Sequence, residues 1–360
     1  MVGALPYALL LVLFFGVEIF SEYRRWKGFR RILLFSILLI VLVAFFSLKS
    51  DAVGTDTAFY KKAYDTTVQS GALYSTSDRG FYTFMLLVAK LRAPFFVFQL
   101  CFYFISVGLL GYSVFLLSKK PFLALVLFLG TPLFPMFLSG MRQTLAIAFC
   151  AMAAAIAVRG RKWWKICSLP LWLLAITFHS SALCFALFGL VFLFRHSKTT
   201  LLCLSWVYFF VLVFGASLFS VLYQFRDLGY FLTSYSLGVP FNSLLFFVLF
   251  VGCYLGFLFS GKEENRISLI MCFPFFMYCM FMSTSSFSEI MSRFSFFFAI
   301  FPPIVISNLF ASRFFGELFR RKALRLSLKY LFLTFFAFLC IYNCCINNVM
   351  HTFPYSLRFL

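Results

Sequence analysis

Charged residues are scarce in this sequence, and acidic residues are the scarcest. Only 12% of the 360 residues are charged, and 31 Lys and Arg stand against 11 Asp and Glu. Water-soluble domains carry about 25% charged residues, so the composition excludes cytosolic enzymes, secreted disulfide scaffolds and nucleic-acid-binding proteins. No phosphate-binding glycine loop, Gly-x-Ser-x-Gly, His-Glu-x-x-His or Cys-x-x-Cys motif occurs. No cluster of carboxylates predicts a tightly held metal.

Apolar residues are abundant instead. The chain is 63% hydrophobic, contains 58 Phe and has a mean hydropathy of +0.98. A helix needs about 20 apolar residues to cross the hydrocarbon core of a bilayer. We predict an all-α, polytopic integral membrane protein with a single transmembrane domain over residues 1–360. About twelve spans are predicted, at residues 4–20, 32–48, 95–117, 121–139, 142–158, 163–178, 180–194, 200–222, 241–260, 267–284, 290–311 and 328–346.

The distribution of Lys and Arg predicts the orientation of these spans. Basic residues collect in alternate loops, beginning with the cluster at residues 24–31, and basic loops face the cytoplasm. Both termini are then predicted to face outward, as is the longest loop, residues 49–94. Within this periplasmic loop we expect a short amphipathic helix in residues 51–70. Residues 81–91, too short to span, predict a re-entrant or interfacial helix.

Two motifs in the outer loop carry ionisable side chains. The first contains Gly54, Asp56, Tyr60 and Tyr64, and the second begins with Asp78-Arg79. Asp56 is either an N-terminal helix cap or a group that accepts a proton or hydrogen bond from a sugar hydroxyl. Asp78 similarly is either a helix cap paired with Arg79 or part of a site.

Two further motifs lie at the predicted outer ends of spans. Arg142 and Gln143 lie in the first turn of a helix, with no acid nearby in sequence. A guanidinium beside unpaired helical N–H groups suits phosphate oxygens, although an Arg at a helix end can also simply reach towards water. His179 precedes two serines on the same predicted side. It is either a base or a structural contact.

Charged residues also occur at two other places on the predicted outer side, the pair Glu289 and Arg293 and the single Arg226. Glu289 and Arg293 are four residues apart, which is typical of an ion pair along a helix. Ionisable groups at the membrane edge are nevertheless costly, which favours a function. Arg226 lies with Gly229 and Gly238 in a smaller outer loop.

Taken together, the motifs resemble the EpsG family of Wzy-like bacterial exopolysaccharide and O-antigen polymerases. The pairing of Arg142-Gln143 with Phe178-His179-Ser180-Ser181-Ala182 is the most specific part of this resemblance. In order and spacing the motifs cover roughly residues 50–355. They are Gly54-Thr55-Asp56 with Tyr60 and Tyr64, Asp78-Arg79-Gly80-Phe81, the segments 139–146 and 178–182, Ser292-Arg293-Phe294, and Phe353-Pro354-Tyr355.

The resemblance implies a glycosyltransferase at the periplasmic face of the bacterial inner membrane. It would transfer a growing chain from undecaprenyl diphosphate to a hydroxyl of an incoming lipid-linked repeat unit. His179, Asp56 and Arg142 would be catalytic: the acid or imidazole would orient or deprotonate the hydroxyl, and the guanidinium would hold the diphosphate. No metal or other cofactor is required. The implied substrate-binding residues are Arg293, Gln143, Arg79, Asp78, Arg226, Glu289, Tyr60 and Tyr64.

The implied partners are undecaprenyl-diphosphate-linked oligosaccharide and the lipid bilayer, with a chain-length regulator and a flippase of the same pathway as further candidates; nucleic acid is not among them. An O-antigen ligase or another lipid-linked-sugar transferase would use the same outer Arg and His residues. A transporter of lipid-linked oligosaccharide would instead need polar groups near the membrane midplane. A purely structural scaffold leaves the outer Arg and His residues unexplained.

Overall fold

The protein is described by a computed structural model over residues 2–24, 28–160, 164–192, 197–224, 241–261, 265–285 and 289–358. These residues form helices, and within them the predicted all-α class is confirmed. The 3₁₀ segments include Trp164–Cys167 and Ser180–Phe192. The α-helices are α1 (Leu5–Arg24), α2 (Gly28–Ser47), α3 (Thr57–Ser70), α4 (Arg79–Ala89), α5 (Phe95–Leu117), α6 (Pro121–Leu129), α7 (Leu133–Ser139), α8 (Met141–Arg159), α9 (Ser168–Phe178), α10 (Lys198–Gln224), α11 (Phe241–Phe259), α12 (Arg266–Thr284), α13 (Glu289–Phe298), α14 (Phe301–Leu309), α15 (Arg313–Leu318) and α16 (Lys322–Ile341).

Six helices of the described chain are long and apolar enough to cross a membrane, and up to eight spans result if each bent helix pair counts as one. The protein is thus a multi-pass membrane protein, but the predicted count of twelve is not confirmed. Four other predicted spans coincide with shorter apolar helices, at Lys165–Phe178, Ser180–Leu190, Lys198–Phe214 and Ser243–Phe259.

Two predicted spans are broken rather than continuous. The helices α6 and α7, within the predicted span 121–139, meet at 68°, and α13 and α14, within 290–311, meet at 42°. Proline explains both breaks, because Pro132 and Pro302 lack the N–H that a continuous helix would use. Apolar length alone could not reveal these bends.

The predicted outer loop, residues 49–94, contains two helices. Helix α3 is amphipathic and buries Tyr60, Ala63, Tyr64 and Thr67, spaced by three or four residues. The second helix, α4, ends before Pro94 and is too short to span a bilayer. Both helices therefore occur where the sequence predicts them.

The chain divides into two compact units. Unit 1 comprises Met1–Leu116, Lys120–Leu183 and Leu326–Leu360, and unit 2 comprises Leu117–Lys119 and Cys184–Arg325. In unit 1, Tyr7, Phe45, Phe134 and Tyr355 form a buried aromatic cluster. In unit 2, helix α12 packs against α10, α11, α13 and α14. All residues of the loop 49–94 belong to unit 1.

Helix α1 carries polar contacts at its two ends. Near its start, the Tyr7 hydroxyl donates to the Thr352 carbonyl at 2.6 Å. Near its end, Glu18 and Glu22 pair with Lys329, and Glu22 also pairs with Lys120. The two ends are roughly 22 Å apart at 1.5 Å per residue. Three segments predicted to share the cytoplasmic side therefore meet at one end of unit 1.

Replacing Lys329 with Met is expected to destabilise the protein. Lys329 and Glu18 are each 3% exposed, so the substitution leaves a buried carboxylate without its cation. Losing one partner of a buried ion pair costs about 3 kcal/mol or more. Thermal unfolding in detergent should show a Tm several degrees lower, whereas Lys322→Met, at an exposed position of the same helix, should leave the Tm unchanged. Equal Tm values for both variants would contradict the role of this ion cluster.

Candidate functional site

A buried lysine organises the loop that follows α2. The Lys49 ammonium donates to the carbonyl oxygens of Val53 at 2.8 Å and Leu138 at 2.6 Å, and to the Thr57 hydroxyl. Burial, with a smaller contribution from the nearby Arg358 charge, lowers the pKa of Lys49 to about 7. These bonds fix the first motif against the C-terminal end of α7. Lys49 was not predicted from sequence. A signal existed, since Lys49 is a lysine on the predicted outer side, against the usual bias.

In this loop, the backbone of Gly54 packs directly against the backbone of Leu138 in α7. The φ of Gly54 is +91°, and a Cβ at this position would lie 2.1 Å from the Leu138 carbonyl oxygen. The Gly54 N–H donates to the His351 carbonyl at 2.9 Å, so the C-terminal segment covers the first motif. The Asp56 N–H donates to the Ser139 hydroxyl at 3.2 Å. Asp56, half-buried, therefore lies beside the start of α8.

Gly54→Ala is expected to destabilise the protein more than Gly71→Ala. Both glycines have positive φ, but a Cβ on Gly71 would meet nothing within 4 Å. Ala at Gly71 should cost about 1 kcal/mol through its backbone conformation alone. Ala at Gly54 should cost roughly 3 kcal/mol, because the clash with Leu138 is added. The difference between the two Tm values measures the clash. Equal values would mean that the loop can withdraw from α7 without loss.

Of the two alternatives for Asp78, the structure does not support the helix cap. Asp78 occupies the position before α4 in the left-handed conformation, with φ 49°, and its side chain makes no capping hydrogen bond. Asp56 likewise makes no side-chain capping bond to α3. Gly80 allows α4 to approach α9, since a Cβ there would lie 2.3 Å from the Thr177 hydroxyl. This approach brings the Asp78 carboxylate to the residues that follow α9.

One carboxylate oxygen joins the two most specific motifs. Asp78 Oδ2 is 2.8 Å from Arg142 Nη1 and 3.4 Å from His179 Nδ1. Although Arg142 has no acid near it in sequence, the structure gives it one 64 residues away. Burial alone would raise the pKa of Asp78, but the hydrogen bond with His179, the charge of Arg142 and the Ser180 N–H together lower it. Asp78 is therefore a carboxylate that binds both side chains. We name these three residues the Arg–Asp–His cluster.

The contact with Asp78 indicates which nitrogen of His179 carries a proton. A carboxylate only accepts hydrogen bonds, so Nδ1 is assigned as the donor in the neutral ring. The Nε2 atom then holds a lone pair. Nε2 is buried and has no hydrogen-bond partner among the described residues. In chemical terms, the cluster offers a proton acceptor at Nε2 beside a guanidinium.

Of the two predicted tyrosines Tyr60 and Tyr64, Tyr60 contacts the cluster. The Tyr60 hydroxyl accepts a 3.4 Å hydrogen bond from Arg142 Nε, and its ring centre lies 5.9 Å from Arg142 Cζ. Burial raises the pKa of Tyr60 to about 12, although the Arg142 charge opposes the shift. The Tyr64 hydroxyl donates to the Ala93 carbonyl. Both rings are at most 2% exposed, so they present no open face to a sugar, and a direct substrate contact stays a prediction.

The remaining predicted residues have different surroundings. Gln143 is buried next to Arg142 in the first turn of α8, and Arg79 is exposed. In unit 2, Glu289 and Arg293 form the predicted ion pair along α13. Arg226 lies outside the described residues. Their substrate-binding roles stay predictions, whereas Asp56, Asp78, Arg142 and His179 are all in unit 1.

The sequence did not predict that the C-terminal segment, residues 347–358, contacts the first motif. The Thr55 N–H donates to the Met350 carbonyl, and the Arg358 guanidinium pairs with Asp51 at 2.8 Å. The only signal was the Phe353-Pro354-Tyr355 motif. Its Tyr355 hydroxyl donates to the Phe45 carbonyl. That motif matches the family pattern weakly, and the sequence alone does not show which part of the fold it contacts.

The fold and the site define a multi-pass helical membrane protein with an Arg–Asp–His cluster held at one end of a helical unit. A model of the EpsG family matches residues 32–357, nearly the whole chain. The chain belongs to the EpsG family, which confirms the resemblance seen in the sequence. The family suggests a Wzy-like membrane protein of the polysaccharide-polymerase type. Comparison with curated proteins and with solved structures gives no match.

Proposed function

We propose that this protein is a polysaccharide polymerase of the bacterial inner membrane. It joins undecaprenyl-diphosphate-linked oligosaccharide repeat units at the periplasmic face. The observation that carries this proposal is the contact of Arg142 and His179 with one oxygen of Asp78, in a chain of the EpsG family. An O-antigen ligase would differ only in its acceptor, and no feature of the cluster favours that alternative.

The reaction is a glycosyl transfer with a diphosphate leaving group. A hydroxyl of the acceptor sugar attacks the anomeric carbon of the donor chain and forms the new glycosidic bond. The bond between that carbon and the diphosphate oxygen breaks, and its electron pair leaves with undecaprenyl diphosphate. His179 Nε2 accepts the hydroxyl proton. The proton lost by the hydroxyl is thus held by the imidazole while the diphosphate leaves as an anion, and no oxidant or reductant is involved.

Arg142 stabilises the negative charge that develops on the leaving group. Its guanidinium has five N–H donors, of which Asp78 and Tyr60 use two at the distances seen. A fixed guanidinium in a partly dehydrated site stabilises charge more strongly than a mobile one in water. Asp78 is a positioning residue in this scheme, because it holds both side chains and contacts no reacting atom. In this scheme Asp56, whose backbone N–H bonds Ser139 just before α8, is proposed to orient the acceptor hydroxyl.

The proposal is tested with purified protein and synthetic undecaprenyl-diphosphate repeat units. Mass analysis should reveal glycans of two or more repeats attached to one lipid, with undecaprenyl diphosphate released in equal amount to the bonds formed. In liposomes with substrate on one side only, a transporter would move the substrate without joining sugars. Movement without bond formation would reverse the assignment. Transfer only to a non-repeat acceptor would make the protein a ligase.

A further inference from the structure

Two aromatic side chains of the outer loop present ring surface outside the buried site. Phe59 lies on α3 at the border of the buried face that contains Tyr60 and Tyr64, and is 42% exposed. Tyr74, in the loop between α3 and α4, is half-buried. The two ring centres are 5.8 Å apart, with the planes at 84°. We call Phe59 and Tyr74 the aromatic pair.

Buried neighbours hold the aromatic pair in place. The Tyr74 ring lies 5.7 Å from the ring of Tyr82, and Phe59 lies 5.7 Å from Tyr60. Tyr82 and Tyr60 are each 2% exposed. Rings packed this way have a fixed orientation, so binding a ligand would require little ordering of side chains.

The same neighbours connect the aromatic pair to the Arg–Asp–His cluster. Tyr60 contacts Phe59 on one side and accepts the hydrogen bond from Arg142 on the other. One ring therefore separates Phe59 from the guanidinium. Tyr74 packs on Tyr82, which lies close enough to Arg142 and Asp78 for their charges to act on its hydroxyl.

The surroundings of the aromatic pair favour a sugar over a lipid chain. Lys62 is exposed three residues after Phe59 on α3, where side chains are neighbours along the helix, and Ser75 and Ser77 follow Tyr74 in the sequence, with their hydroxyls 2.8 Å from each other. A surface facing acyl chains would not carry these charges and hydroxyls. A pyranose ring presents C–H bonds on its faces and hydroxyls at its edge, which suits aromatic rings bordered by polar groups.

We propose that Phe59 and Tyr74 form a subsite that binds a pyranose ring of the lipid-linked repeat unit, an inference that rests on the proposed function. The family resemblance implied Tyr60 and Tyr64 as substrate-binding residues, but both rings are enclosed. The aromatic pair supplies the open ring surface that those residues lack. Its role is binding, since neither ring contacts Arg142, Asp78 or His179.

The test compares Phe59→Ala, Tyr74→Ala and the double variant with wild-type protein. The substrate is the single-repeat lipid-linked glycan extracted from the producing strain after deletion of this gene. The double variant should raise the KM for this glycan about tenfold while changing kcat less than about threefold. The ring-preserving variants Phe59→Trp and Tyr74→Phe should keep the wild-type KM. Phe104→Ala, an exposed Phe on α5, is the matched control.

The outcomes distinguish a failure of the proposed subsite from a failure of the proposed function. Equal KM values for the double variant and wild type would overturn the subsite while leaving the polymerase assignment intact. A wild-type protein that joins no repeat units would overturn the proposed function instead. Saturation-transfer NMR with the lipid-free oligosaccharide then tests the subsite separately, as wild type but not the double variant should show contacts to sugar C–H protons. A lower Tm with no change in KM would also overturn the subsite and make the pair a packing contact of the loop.

Discussion

His179→Ala is expected to lower turnover of lipid-linked repeat units by about 10³-fold. In the proposed reaction, His179 Nε2 takes the proton of the attacking hydroxyl, and a positioned base contributes typically 10²–10⁴-fold. The KM for the lipid-linked donor should change little, because the imidazole acts on the hydroxyl and not on the diphosphate. Initial rates with synthetic substrate, measured in detergent at several concentrations, separate the two effects.

Ser180→Ala is the matched control for this variant. Ser180 is exposed and adjacent to His179, and its backbone N–H, which the substitution retains, is the group that interacts with Asp78. Its turnover should stay close to that of wild type. If His179→Ala also retained wild-type turnover, His179 would not be the base, and Asp56 would be the next residue to replace.

Arg142→Lys is expected to lower turnover by about 10²-fold, and Arg142→Ala by about 10³-fold. The guanidinium donates from Nη1 to Asp78 and from Nε to Tyr60 at the same time. A lysine ammonium is a point charge that cannot reproduce this planar arrangement while also facing a diphosphate. The loss should fall on the step that releases undecaprenyl diphosphate, so single-turnover release of that product is the measurement.

Arg92→Lys is the control for the same substitution at another position of this loop. Arg92 is exposed, and the part of the chain that the structure describes gives it no ion pair. Its turnover should remain within about threefold of wild type. Full activity of Arg142→Lys would mean that charge alone suffices and that the planar contacts with Asp78 and Tyr60 have no catalytic consequence.

Local sequence patterns predicted individual helices well. The amphipathic spacing of α3 and the apolar length of α5 are properties of contiguous residues, and both helices occur at the predicted positions. The bend between α6 and α7 was missed because hydropathy counts apolar residues without regard to Pro132. The sequence also placed Arg142 and His179 on the same predicted side of the membrane, because the alternation of basic loops predicts the orientation of each span.

The contacts between motifs could not be predicted from the sequence. The pair Asp78–Arg142 joins residues 64 positions apart, and it depends on the close approach of Gly80 to Thr177. Nothing in the local pattern distinguishes a glycine needed for packing from one needed for a turn. A helix cap was the ordinary expectation for Asp78. The left-handed backbone and the neighbouring α9 direct its carboxylate to Arg142 and His179 instead.

The most direct test of the account is a double-mutant cycle on Arg142 and His179. Both side chains contact the same oxygen of Asp78, so losing either one disturbs the other, and residues that act as a unit give strongly non-additive effects. Turnover of the Arg142→Ala/His179→Ala variant should be no more than about tenfold below that of the worse single variant. Losses that multiply in full, or a single variant with wild-type turnover, would contradict a shared site.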